Sequence, residues 1–182
     1  MLIMNVLHVI PRYYPFVGGS ELYFQEISQR LVREGHQVTV YTTDAWDLEH
    51  LWARNKRMIK ERQGAHDGVQ VRRFPVRHLP FGSLIYRGTR RVMSWLSAMP
   101  LNTIALLFPL CLTTPLVPSL YKQLILDDSY DIIHATGFPF DSLVAAAFRF
   151  AQKRQVPFII TPLTHLGEPD DEIVRKYYTM QH

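Results

Sequence analysis

Pro11-Arg12-Tyr13-Tyr14-Pro15-Phe16-Val17-Gly18-Gly19-Ser20-Glu21 is the stretch that decides the fold. Before it stands a mostly apolar run from Leu2 to Ile10, interrupted only by Asn5 and His8, and after it a segment of helical period from Leu22 to Glu34. A strand apolar on both faces, a stiff loop ending in two glycines and a helix start form the strand–loop–helix unit of α/β ligand sites. The first turn of a helix offers unpaired N–H groups and the positive end of a dipole, which suits phosphate. Gly18 and Gly19 lack a Cβ, so a ligand can approach the backbone. A Gly-Gly pair alone also fits a plain βα turn, and neither a G-x-G-x-x-G fingerprint nor a P-loop is present.

Downstream, Ser20 is the expected N-cap of the first helix, Phe24, Ile27 and Leu31 its inward stripe, and Gly35 its left-handed end. Position 23 is Tyr, so there is no capping box. Val38 to Thr43 reads as the second strand. Ala45 to Arg62 is expected to be helical, Asp67-Gly68 to centre a turn, and Val69 to Phe74 to be a strand. Pro75 to Pro100 reads as loop with one helix from Arg87 to Met99. Asp131 to Thr136 and Phe158 to Thr161 read as strands, flanking an Ala-rich helix capped by Asp141. A last helix is expected over Asp170 to Met180, with Asp171–Arg175 and Glu172–Lys176 pairs. The order gives an α/β fold with a Rossmann-like, doubly wound parallel sheet.

Pro15, Gly18, Gly19 and Glu21, followed by Leu31 and then Gly35-His36-Gln37-Val38-Thr39-Val40, resemble the opening of glycosyltransferase family 4, with its P-x-x-G-G-x-E, helix, G-H-x-V-x-V pattern. The resemblance is strong over about the first 44 residues and looser from Asp131 to His165. It implies a GT-B fold of two Rossmann-like domains, of which residues 1–182 would be the N-terminal, acceptor-side one. It implies a retaining enzyme that moves a sugar from a nucleotide-sugar donor, without a metal or other resident cofactor, to a glycan or lipid-linked acceptor. The nucleotide-binding domain of that family is not in this sequence, so the chain is expected to be inactive without it. Glu26 and Glu34 mimic the E-x7-E spacing of that other domain, but eight helical steps of about 100° turn the two carboxylates apart, and both read as solvated.

In an open parallel sheet ligands sit beyond the carboxyl ends of the strands. Three loops leave such ends: Pro11 to Gly19, Thr136 to Asp141, and Pro162 to Glu168. The candidate substrate- or phosphate-binding set is Arg12, Gly18, Gly19, Glu21, His134 and Thr164. The resemblance implies that His165 contacts the donor sugar near the reacting carbon and is the catalytic residue. Its local motif, Thr161-Pro162-Leu163-Thr164-His165, is longer by about two residues than the commoner family form. His134, inside a strand, also reads as a core histidine. His8 and His36 read as structural, and His50, His66 and His78 as surface. No spacing of His, Cys, Asp or Glu suggests a metal site.

Hydrophobic residues make up 47% of the 182 and charged ones 20%, which places the chain among globular domains with a proper core. A single cysteine, Cys111, rules out an internal disulfide and fits a reducing, cytoplasmic setting. Its apolar surroundings give it no base to activate it. No secretory signal is expected, because the first apolar run has no basic flank. Residues 54 to 91 carry eleven Lys or Arg and two acids, leaving that tract at +9 and the remainder at −5. Such segregation suggests an anionic partner. Arg72, Arg73, Arg77, Arg87, Arg90 and Arg91 lie among aromatics, which suits an anionic membrane surface or a pyrophosphate-bearing acceptor. The alternatives are a solvated basic face and a non-catalytic module binding an anionic lipid or polysaccharide. A nucleic-acid partner is not expected, since no recognised motif accompanies the charge. Leu101 to Leu126 is long enough to cross a bilayer but is broken by Pro109, Pro115 and Pro118. A buried helix pair and a surface that dips into one membrane face are the other readings, the second implying peripheral association with the inner face of the cytoplasmic membrane.

Overall fold

A computed structural model describes residues 2–137 and 140–163. Its elements are, in order, β1 Asn5–Val9, α1 Gly19–Arg33, β2 Gln37–Thr43, a short 3-10 helix Leu48–Leu51, β3 Gln63–His66, β4 Val69–Phe74, α2 Gly82–Ser97, α3 Ile104–Cys111, α4 Pro118–Leu126, β5 Ile132–Ala135, α5 Asp141–Arg154 and β6 Phe158–Ile160. The sheet order is β3-β4-β2-β1-β5-β6. All neighbours are parallel except β3, which folds back antiparallel on β4. This is the doubly wound α/β arrangement expected, with the chain leaving β1 near the middle of the sheet and crossing to one side and then the other.

Alternation along the central strands explains the two layers. Val6 and Ile10 point to one face, where they join Val38, Val40, Val69 and Val71 under Phe24 of α1. Leu7 and Val9 point to the other, where they join Tyr41, Ile133 and Ala135 under Leu120 and Leu124 of α4 and Leu143, Ala147 and Phe150 of α5. Each such aliphatic side chain contributes about 1.5–3 kcal/mol by burial, which is why the central strands carry no exposed polar stripe.

Several local expectations need correction. Residues 45–62 are not a helix beyond the 3-10 turn. The Asp47 carboxylate accepts bonds from the Arg57 backbone and guanidinium, and Ala45 bridges Met58, so the segment doubles back as a loop. The strand β3 was hidden by Gly64, yet Asp67 and Gly68, both at positive φ, turn it tightly onto β4. Gly18, not Ser20, is the N-cap of α1, and Ser20 Oγ instead donates to Glu21 Oε2. Asp141 lies inside α5, whose N-cap is Phe140. The inward face of α1 is partly polar: Glu21, Gln25 and Ser28 are buried beside Phe24, while Ile27 and Leu31 are half-buried. The helix expected from Arg87 begins a turn earlier, at Gly82. Leu101 to Leu126 forms two short helices, and among the described residues no helix is long and apolar enough to cross a membrane. The helix expected over Asp170 to Met180 lies outside the described residues.

Candidate active site at the carboxyl edge of the sheet

The loop from Pro11 to Gly18 leaves β1 at the carboxyl edge and is tied at almost every residue. Thr43, at the end of β2, gives Pro11 O two bonds, from its backbone N at 3.2 Å and from Oγ1 at 2.6 Å. Tyr13 is buried. Arg73 Nη2 donates to Tyr14 O at 2.8 Å, and Gln25 Nε2 to Phe16 O at 3.2 Å. The Tyr14 ring stacks on His66 of β3. Gly137, just past β5, has φ +145, and a Cβ there would come within 2.8 Å of Pro11 Cγ, so glycine is required both by conformation and by space.

Arg12 and Glu21 meet beneath this loop. Glu21 Oε1 accepts from Arg12 Nε at 3.1 Å and lies 3.0 Å from Nη2, while Nη1 reaches Trp46 O at 3.4 Å. The guanidinium covers the Phe16 ring at 3.7 Å. Arg12 thus joins the loops that follow β1 and β2. A Cβ at Gly18 would collide with the Glu21 carboxylate. At Gly19 the same test finds nothing within 4 Å, and Gly19 is exposed. Among the described residues no side chain caps the α1 amides at this end. Two adjacent glycines therefore serve different ends: Gly18 makes room for Glu21, and Gly19 leaves the helix start open to solvent.

His134, near the end of β5, is buried and stands 2.7 Å from Thr161 Oγ1. Its ring packs against Phe24, and edge-on to His8, its cross-strand neighbour on β1. Burial lowers the pKa of His134 and, aided by the neighbouring His134, pushes His8 down to about 3. Ser28 Oγ donates its proton to Phe24 O at 2.6 Å, so its 2.7 Å contact with His8 is donated by Nδ1 of the imidazole. Thr161, one residue past β6, is gripped again: Thr136 Oγ1 donates to its carbonyl at 2.7 Å and its N–H bonds Ala135 O. Thr164 and His165 lie outside the described residues.

The six candidate arginines do not share one face. Arg73 is buried against Tyr14 O and Glu61, and Arg90 is buried 3.6 Å from Asp141 Oδ2. Arg72 lies half-exposed near Asp127 and Tyr41. Arg77, Arg87 and Arg91 are exposed. The tract was expected to act as one surface, but strand alternation and helix period turn alternate members inward.

One group that sequence reasoning missed is Asp44, buried directly after β2. Burial alone would raise its pKa, but contacts from His50, the Val76 N–H and Arg62 outweigh it and lower it. Its carboxylate is 3.4 Å from His50 Nε2, and accepts from Val76 N at 3.0 Å and Arg62 Nη1 at 2.8 Å. His50 was expected at the surface but is buried here, and His78 packs against it, half-buried. A lone carboxylate immediately after a buried strand was the available signal. Among the described residues no cluster of three or more His, Cys, Asp or Glu could hold a metal ion.

The sheet order and the glycine loop at its carboxyl edge define a Rossmann-like α/β domain. The model of the glycosyl transferase 4-like domain family matches residues 18–182, and the chain belongs to that family. No curated protein matches the chain. Two solved structures of the C-terminal domain of a Pyrococcus furiosus hydrogenase are similar to it at 15% and 13% identity, with TM-scores of 0.39 and 0.38. They cover 87% and 86% of this chain and 91% and 89% of their own, but a likeness this weak carries no argument.

Proposed function

We propose that this chain is the acceptor-side half of a retaining glycosyltransferase that moves a sugar from a nucleotide-sugar donor to a glycan or lipid-linked acceptor. Membership of the glycosyl transferase 4-like family supports a transferase. The observation that carries the reading is Gly19, exposed at the uncapped start of α1 on the carboxyl edge, where an anionic group of a substrate meets free N–H groups and the helix dipole. In this reading Gly18, Arg12 and Glu21 hold the loop that presents Gly19. His134 supports the neighbouring strand end through Thr161. His165, with Thr164 beside it, stabilises the charge that develops at the reacting sugar. The nucleotide-sugar is a co-substrate, no resident cofactor is needed, and transfer requires a nucleotide-binding half. The test is transfer by a protein carrying both halves. His165→Ala should lower kcat more than it raises KM, and an unchanged kcat removes His165 from the reaction.

The acceptor side of this reading lies at a membrane. The exposed face of α2 carries Leu84, Ile85, Val92 and Trp95 together with Arg87 and Arg91, with Phe81 and Leu101 exposed at its two ends. Apolar and basic side chains on one helix suit peripheral contact with anionic lipid on the cytoplasmic side, where each basic residue contributes about 1 kcal/mol. Co-sedimentation with anionic liposomes should rise with anionic lipid and fall with salt. Protein left in the supernatant at low salt overturns the membrane contact and favours a soluble acceptor.

A further inference from the structure

Helix α3, Ile-Ala-Leu-Leu-Phe-Pro-Leu-Cys, is apolar at every position, yet of its residues only Cys111 is buried. Ile104 is 69% exposed and Leu106 58%. An all-apolar helix is normally enclosed by other elements. One side chain of α3, Phe108, reaches an open groove of about 180 Å³ between α4 and α5, whose apolar lining also includes Leu112, Tyr121, Leu124, Ile125 and Phe150.

The groove's chemistry is divided between floor and rim. The one neutral polar group of the floor, the Tyr121 hydroxyl, is fully engaged: it lies 2.8 Å from Leu112 O and 3.0 Å from Pro115 O, and accepts from Val117 N. A peptide laid there would bury backbone N–H and C=O groups without partners. The rim carries Arg149, Lys153 and Arg154, and none of the described lining residues is acidic. Arg149 stands 5.3 Å over the Phe108 ring, and Arg154 Nη2 donates to Ile125 O at 3.2 Å. The two guanidinium groups themselves thus lie against the apolar lining, so cationic ends and hydrocarbon share one groove. Hydrocarbon beside three positively charged side chains fits an amphiphile with an anionic head.

We propose that this groove takes part of one acyl chain of an anionic phospholipid, with the phosphate against Arg149, Lys153 and Arg154. The half of α5 that lines it leads toward the start of β6, away from the carboxyl edge where Gly19 lies. The bound lipid is therefore a docking lipid and not the acceptor being glycosylated. The proposal rests on the membrane contact above only for the source of the lipid.

The test is binding of palmitoyl lysophosphatidic acid, kept below its micelle-forming concentration, to the whole chain by isothermal calorimetry. One molecule should bind per chain, saturably. Charge reversal at two exposed positions, Arg149→Glu with Lys153→Glu, should weaken it by at least about tenfold, and the neutral palmitoyl monoglyceride should bind weaker than the lysophosphatidate by a similar factor. Ala146→Trp, which fills the groove, should abolish binding. If that variant fails to fold, the charge-reversed protein decides. No saturable binding by the wild type, or equal affinity in the charge-reversed protein, overturns the proposal. Lysolipid binding without liposome sedimentation upholds the groove and overturns the α2 membrane contact.

Discussion

Arg12 and Glu21 are joined across nine residues of chain by two nitrogens of one guanidinium, Nε and Nη2, both directed at Glu21 Oε1. Both side chains are nearly out of solvent, at 12% and 6% exposure. The pair is the internal brace of the glycine loop.

Removing one partner strands the other. Glu21→Ala should destabilise the domain by about 3 kcal/mol, because Arg12 keeps its buried position without a counter-charge. Urea denaturation measures it, and a loss within about 0.5 kcal/mol would mean that Arg12 escapes to water.

The two glycines should separate by assay. Gly18→Ala forces a Cβ into the Glu21 carboxylate and should cost about 1–3 kcal/mol of stability. A Cβ at Gly19 has no atom of the described residues within 4 Å, so Gly19→Val should leave the urea midpoint close to wild type, yet reduce transfer greatly in a protein carrying both halves. A folded Gly19→Val protein with wild-type turnover would sink the anion site.

Gly137→Ala combines an unfavourable φ with contact on Pro11 and should cost about 1–3 kcal/mol or more. Thermal denaturation reads it directly, and an unchanged Tm would show that Pro11 yields without penalty.

Asp141 gives a pH signature. Burial raises its pKa from the ordinary 3.8 to about 6, against the pull of Arg90. A raised acid binds its proton more tightly when folded, so its ionisation weakens the fold as pH climbs from about 4 through 6. The buried His8 and His134 and the half-buried His78, with lowered pKa values, act in the opposite sense. The difference between Asp141→Asn and wild type isolates the carboxyl: near zero at pH 4, and up to about 3 kcal/mol in favour of Asn at pH 7. Equal differences at both pH values would refute the shift.

The fold was legible where one physical rule dominated. The apolar run before Pro11 had to hold a buried strand, found over Asn5–Val9, and Gly35 had to end a helix; its φ is +89. The sequence misled where side chains bond the backbone at a distance. Asp47 draws Arg57 back and unmakes the helix expected over Ala45 to Arg62. Ser28 and Gln25 sit on the buried face of α1 because His8 and Phe16 O await them there, partners 20 and nine residues away that no hydrophobic pattern reveals. Of the site, the glycine loop was visible in the sequence, but the separate tasks of Gly18 and Gly19 were not, because the Glu21 carboxylate decides between them.

The bonds that hold Pro11 to Gly18 have a calorimetric consequence. Contacts from β2, β4 and α1 order this segment as the chain folds, before any substrate arrives. An anion settling at Gly19 then meets a rigid receptor, and little chain entropy remains to be lost on association. Its binding should release heat with only a small unfavourable entropy, unlike capture by a floppy glycine loop that must first be ordered.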